Sequence, residues 1–209
     1  MKKIIVLFSV VFIFAMLTSC NQKSEIAALV YGEEITVDFV QNKAAYSKEV
    51  YDKNVEFINN SDFDVVNDKA EALEKLSKPK TYDEVLKDEI WRIVLLKEAE
   101  RKEIKVDFAE CKKQAEENYE VFMSIKKEDE QNYQSVQEIK NYIKENRLSK
   151  NEYINQLANS YYNNSLINGL KRDFMKNGYV FKDGAPTFDE QFNEYTKQLV
   201  KDAKVKYYD

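Results

Sequence analysis

At the head of five apolar runs in this chain a Ser, Thr or Asp is followed three residues later by Glu: Thr81 and Glu84, Asp107 and Glu110, Ser135 and Glu138, Ser149 and Glu152, Thr187 and Glu190. In that spacing the first side chain accepts a hydrogen bond from the amide of the third residue on, and the Glu carboxylate accepts one from the first residue's amide. Two of the free donors at a helix start are then satisfied together. Each pair stands at the head of a run with apolar residues at helical spacing, so the chain is predicted to be mainly α. Only 4 Gly and 2 Pro occur in 209 residues. That scarcity argues against a many-stranded sandwich, which needs turn-formers at every reversal.

The strongest of these helices spans Thr81 to Val106. Leu86, Ile90, Ile93 and Leu96 fall on one side, and Trp91, Leu95 and Ala99 on the other, which makes the middle apolar nearly all round. A helix of that kind is predicted to be a buried pillar, with Trp91 in the core. Before it, Ala27 to Val30 reads as a short strand and Glu33 to Ile35 as a second short strand or a helix lead-in, about a turn at Tyr31-Gly32. Gly32 suits the positive φ of a type II turn, whereas Tyr31 fits a type I′ turn badly. Thr36 caps a helix to about Asn59, and a weaker one carries Phe63, Val66, Ala70 and Leu73. After Val106, helices are predicted from Asp107 to about Lys126, from Ser135, from Ser149 to about Lys176, and from Thr187. Lys204 to Tyr208 alternates as a strand does.

Lys2 and Lys3 followed by the apolar run Ile4 to Leu17 have the form of an export signal. The run is about 14 residues, short of the roughly 20 that a spanning helix needs. Leu17-Thr18-Ser19-Cys20 then resembles the lipobox of bacterial lipoproteins. That resemblance implies acylation of Cys20, cleavage in front of it, and anchoring outside the cytoplasm; two acyl chains hold a protein stably where one is marginal. The expected organisation is a signal peptide over 1–19, a lipidated tether over 20–26 and a single helical domain over 27–209.

The chain has no histidine. Ser/His/Asp and Cys/His catalysis are thereby removed, along with nearly all zinc sites, and two cysteines cannot build a thiolate cluster. No metal and no cofactor is expected. With Cys20 acylated, Cys111 is left as a lone thiol, predicted to be a semi-buried structural residue, with a redox role as the alternative. The net charge is −5, and −7 once Lys2 and Lys3 leave with the leader. An acidic chain without a basic block is a poor partner for nucleic acid.

The order of pieces resembles a known family. Val30-Tyr31-Gly32-Glu33-Glu34-Ile35-Thr36 is similar to the Val-Asn-Gly-x-x-Ile-Thr stretch of SurA-type periplasmic chaperones and PrsA-type foldase lipoproteins. Leu86 to Val106, with Glu98-Ala99 and Ile104-Lys105-Val106, is similar to their Leu-Ile-x-x-x-Leu-Leu-x-x-Glu-Ala-x-x-x-x-Ile-x-Val helix. The segment Ala203 to Tyr207 resembles the piece that folds back onto the first strand. The resemblance implies a multi-helix SurA-N-like chaperone module with a small sheet formed by N-terminal and C-terminal strands. Tyr31 departs from the usual Asn. The parvulin isomerase domain that PrsA-type proteins carry before the last helix is replaced by about ten residues, Asn177 to Pro186.

The expected function is that of a membrane-anchored chaperone, holdase or foldase-like, binding unfolded or newly exported polypeptides without isomerase activity. Tyr119, Phe122, Met123, Tyr153, Tyr161 and Tyr162 are the candidate peptide-binding residues, because they flank the longest polar link and supply aromatic and thioether contacts. At helical spacing each is equally a core residue. The alternative is a scaffold lipoprotein with one dedicated envelope partner. A carboxylate-only enzyme such as a glycosidase is a third reading, which the position of most Asp and Glu at helix starts and on charged faces disfavours. The chain is therefore not expected to be an enzyme.

Overall fold

The computed structural model of the protein describes residues 24–60, 66–127, 130–182 and 184–208. The leader, Cys20 and Phe63 lie outside them. Among the described residues the chain is mainly helical with one small antiparallel sheet, and no helix is long and apolar enough to cross a membrane. In order the elements are β1 (Ile26–Val30), β2 (Glu33–Thr36), α1 (Val37–Asn60), α2 (Val66–Glu74), α3 (Tyr82–Arg101), α4 (Phe108–Met123), α5 (Glu130–Glu145), α6 (Lys150–Asn177), α7 (Phe188–Asp202) and β3 (Lys206–Tyr207).

Three of the five Ser/Thr/Asp-to-Glu signals form complete capping boxes. Thr81, Ser149 and Thr187 donate their amides to Glu84, Glu152 and Glu190 at 2.8, 2.6 and 2.7 Å, and each Glu amide returns a bond to the hydroxyl. Asp107 caps α4 differently, accepting from the amide of Ala109 at 2.8 Å. Ser135 caps nothing. α5 already begins at Glu130 and runs through it, because Val136, wholly buried, belongs to a packed face that continues through Ile139 and Ile143.

Packing divides the chain into two compact units. The sheet-bearing unit is built from both parts of the chain flanking the other unit: its described residues are 24–60, 66–98, 180–182 and 184–208. Its sheet has the order β2-β1-β3, with Val30 opposite Glu33 and Leu29 opposite Lys206. The C-terminal strand therefore does return to the N-terminal one. The hairpin turn corrects the expectation for Tyr31: its φ is +51° and that of Gly32 is +87°, the signature of a type I′ turn. A two-residue loop between twisted strands favours that turn strongly enough to hold a tyrosine in the left-handed region, where only Gly sits without strain.

Beneath the sheet lies an aliphatic core of Ala28, Val30, Ile35, Val40, Val85, Ile90, Ile93 and Val94, so α3 is the pillar its apolar girdle predicted. Two carboxylates are buried with partners. Glu98 accepts a hydrogen bond from the Tyr195 hydroxyl at 2.6 Å, and Glu89 accepts one from Arg92 Nε at 2.9 Å and faces Lys43 Nζ at 3.5 Å.

The helical unit packs α4 directly on α6, and Ile139, Tyr142 and Ile143 of α5 lie against the cluster they form. Its core is Ala115, Tyr153, Ile154, Leu157 and Ala158. Gly169 lies where a Cβ would fall 2.4 Å from Ile104 Cγ2, so α6 meets the segment after α3 at a distance only glycine allows. Cys111, expected half-buried, is fully buried on α4.

Candidate functional site

Of the six sequence-predicted positions, Tyr153 is drawn into the interior of the helical unit and Tyr119 and Tyr161 pack half-buried against it. Tyr153 is 6% exposed, with the rings of Tyr119 and Tyr142 at 5.9 and 6.2 Å. Tyr119 and Tyr161 pack on the same cluster; the Tyr161 hydroxyl accepts a hydrogen bond from Asn118 Nδ2 at 2.8 Å, and Lys150 Nζ sits 5.1 Å over the Tyr119 ring. Tyr162 stands apart, edge-on to Phe108 at 5.7 Å. Phe122 and Met123 are half-buried at the end of α4. The seam between α4 and α6 is thus filled by the chain's own aromatics at Tyr153, and the partly open rings border it.

A concave site lies instead in the sheet-bearing unit. α3 contributes Asp83, Leu86, Lys87, Ile90 and Trp91, α7 contributes Lys197, Val200 and Lys201, and Tyr207 comes from β3; together they line an open cleft of about 500 Å³. Its floor is apolar, formed by Leu86, Ile90, Trp91 and Val200, and its rim holds three lysines against one aspartate. Lys87 Nζ lies 5.2 Å over the Trp91 ring, and Lys197 pairs with Glu194. An apolar body with a few convergent polar groups is the usual make-up of a binding site.

Trp91, expected in the core, is half-buried and lines this cleft. An all-round apolar helix has no single face that sequence can assign to the interior, so the side turned to a cleft reads like the side turned to the core. One local signal was available: Lys87 precedes Trp91 by one turn, a spacing that places an ammonium over the ring and marks that side as wet.

Among the described residues no three His, Cys, Asp or Glu side chains stand together to hold a metal ion. No protein family, curated protein or solved structure matches the chain.

Proposed function

We propose that this protein is a membrane-anchored holdase for unfolded or newly exported polypeptides, without isomerase activity. The observation that carries the reading is the open apolar cleft with Trp91 in its floor and lysines on its rim. Adaptable apolar surface of this kind suits segments that other proteins bury on folding. The lipobox-like Leu17-Thr18-Ser19-Cys20 supports the anchoring, and it gives Cys20 the role of lipid carrier. The want of histidine and the short stretch between α6 and α7 support a binding role without parvulin chemistry.

The test is aggregation of several unrelated denatured proteins, followed by light scattering, with the chain from Asn21 onward added at near-stoichiometric amounts. Suppression across clients is expected. Indifference of every client sinks the holdase reading, and protection of a single one points to a scaffold with a dedicated partner. Cys20→Ser is expected to remove acyl label and release the protein from membranes.

A further inference from the structure

The cleft and the sheet edge meet at Tyr207. β3 is an outer strand of the sheet. Ala28 stands opposite Tyr207, and the Tyr208 amide donates to Ala27 O at 3.1 Å. In an antiparallel ladder the residues flanking such a pair carry the bonds, so Lys206 and Tyr208 turn their backbone groups to β1. Tyr207 turns its N–H and C=O to the open edge, while its side chain lines the cleft. An outward amide and carbonyl beside an apolar hollow is the geometry by which an extended peptide adds as a further strand and lowers one side chain into a pocket.

Charge decides which peptide. Lys87, Lys197 and Lys201 surround the cleft against Asp83 alone, on a chain whose net charge is −5. Lys197 and Lys201 stand one turn apart on α7, a like-charge spacing that is unfavourable unless an anion offsets it. Glu194 does so for Lys197; among the described residues Lys201 has no ion-pair partner.

Resting on the polypeptide-binding reading above, we infer that the cleft takes an extended peptide as an added strand along Tyr207. An apolar or aromatic side chain of that peptide sets against Leu86, Ile90 and Trp91, and Asp or Glu residues flank it. The site therefore selects among clients: apolar segments with acidic neighbours are held, and those with basic neighbours are passed over.

Trp91 is the single tryptophan, so its emission reports the cleft without a label. The full chain in detergent micelles is titrated with tryptophan-free peptides sharing a Val-Phe-Val centre, flanked by Glu or by Lys, and with a Glu-flanked peptide N-methylated at the centre. Binding is read by anisotropy of a dye on the peptide and by Trp91 emission. The Glu-flanked peptide is expected to shift the emission and to bind about tenfold tighter than the Lys-flanked one at low salt. N-methylation is expected to weaken it about tenfold. Lys201→Glu should narrow the preference for Glu flanks while leaving the circular dichroism spectrum unchanged.

Peptide binding with no change at Trp91 overturns the site and leaves polypeptide binding standing. Failure of every peptide together with failure of the aggregation assay removes both readings. Equal affinity for the two flanks overturns the charge rule, and indifference to N-methylation overturns the added strand. If phosphatidylglycerol vesicles shift Trp91 and the peptides do not, the cleft is a lipid site; if raising the chain concentration alone shifts it, the edge pairs with a second copy. Either result overturns the peptide assignment.

Discussion

The two units each bury one aromatic ring among others and differ in what lies beside it. In the helical unit Tyr153 is sunk in the core with Tyr119 and Tyr142 around it; in the sheet-bearing unit Phe192 is buried between Phe188 and Tyr195 on α7, the cluster under the sheet is aliphatic, and Trp91 and Tyr207 are left beside a cleft. Tyrosine is tolerated inside because each hydroxyl can be given a partner: Tyr161 accepts from Asn118, and Tyr142 donates to Gln156 at 3.3 Å. A high tyrosine content is therefore no sign of a binding surface. What distinguishes the cleft is position, with apolar side chains left open between two helices and cations held above them.

The largest expected effects test whether the two cores stand independently. Ile93→Ala beneath the sheet and Leu157→Ala between α4 and α6 each remove a side chain 3% exposed, at a cost of about 2–5 kcal/mol. Denaturant unfolding followed by Trp91 emission should register Ile93→Ala. Hydrogen exchange along α4 and α6 should register Leu157→Ala. Equal response of both probes to both variants would merge the units into one cooperative block.

A matched pair comes next, the same Tyr→Phe change in each unit. Tyr195→Phe takes a donor from the buried carboxylate of Glu98, which costs about 1.5–3 kcal/mol because a charged acceptor is involved. Tyr161→Phe removes a bond between neutral groups, worth about 0.5–1.5 kcal/mol. Melting curves that rank the two the other way would show that the polar tips in the helical unit matter more than its rings.

Tyr31→Asn has the opposite sign. Asn tolerates the left-handed region at φ +51° better than Tyr does, and the exposed Tyr31 ring sacrifices little, so a gain of up to about 1 kcal/mol is expected in the sheet-bearing unit alone. Chemical denaturation read at Trp91 checks it.

The smallest effect is set by pH and is shared by both units. The amides of Thr81, Ser149 and Thr187, aided by the hydroxyls, hold the carboxyls of Glu84, Glu152 and Glu190 below their usual value of 4.5. A carboxyl depressed in the folded state contributes stability above that value, and the contribution is lost as pH falls through it toward the folded pKa. Helix content measured by circular dichroism should begin to fall below about pH 4.5 for this reason. A variant with Gln at all three positions should start with weaker caps and lose less on acidification.

Helix starts were legible in the sequence at Thr81, Ser149 and Thr187, where the four-residue signal meets no competing packing upstream. At Ser135 the same letters stand inside a helix, because packing of Val136 extends α5 back to Glu130 and tertiary contact outweighs a local cap. The strand over Lys204 to Tyr208 was legible as alternation and its return to the first strand only through the family resemblance, while the sign of φ at Tyr31 was not legible, since strand twist across the hairpin decides it. Of the candidate binding residues, Tyr153 shows why helical spacing falls short. It puts a ring on a face without saying whether that face meets a neighbour. Trp91 was misplaced in the opposite direction for the same reason.

The sheet also imposes an order of events. β1 is made early and β3 last, so the pairing of Ala28 with Tyr207 must close a loop that contains the entire helical unit. Folding of that intervening stretch ahead of the sheet shortens the loop the sheet has to close. Until then the hairpin carries a naked edge along β1, and an unpaired edge is where chains join wrongly. Two residues of β3 thus close the sheet beyond the return of α7 to α3 at Tyr195 and Glu98, and a chain stalled before Lys206 would be complete in its helices and sticky along one strand.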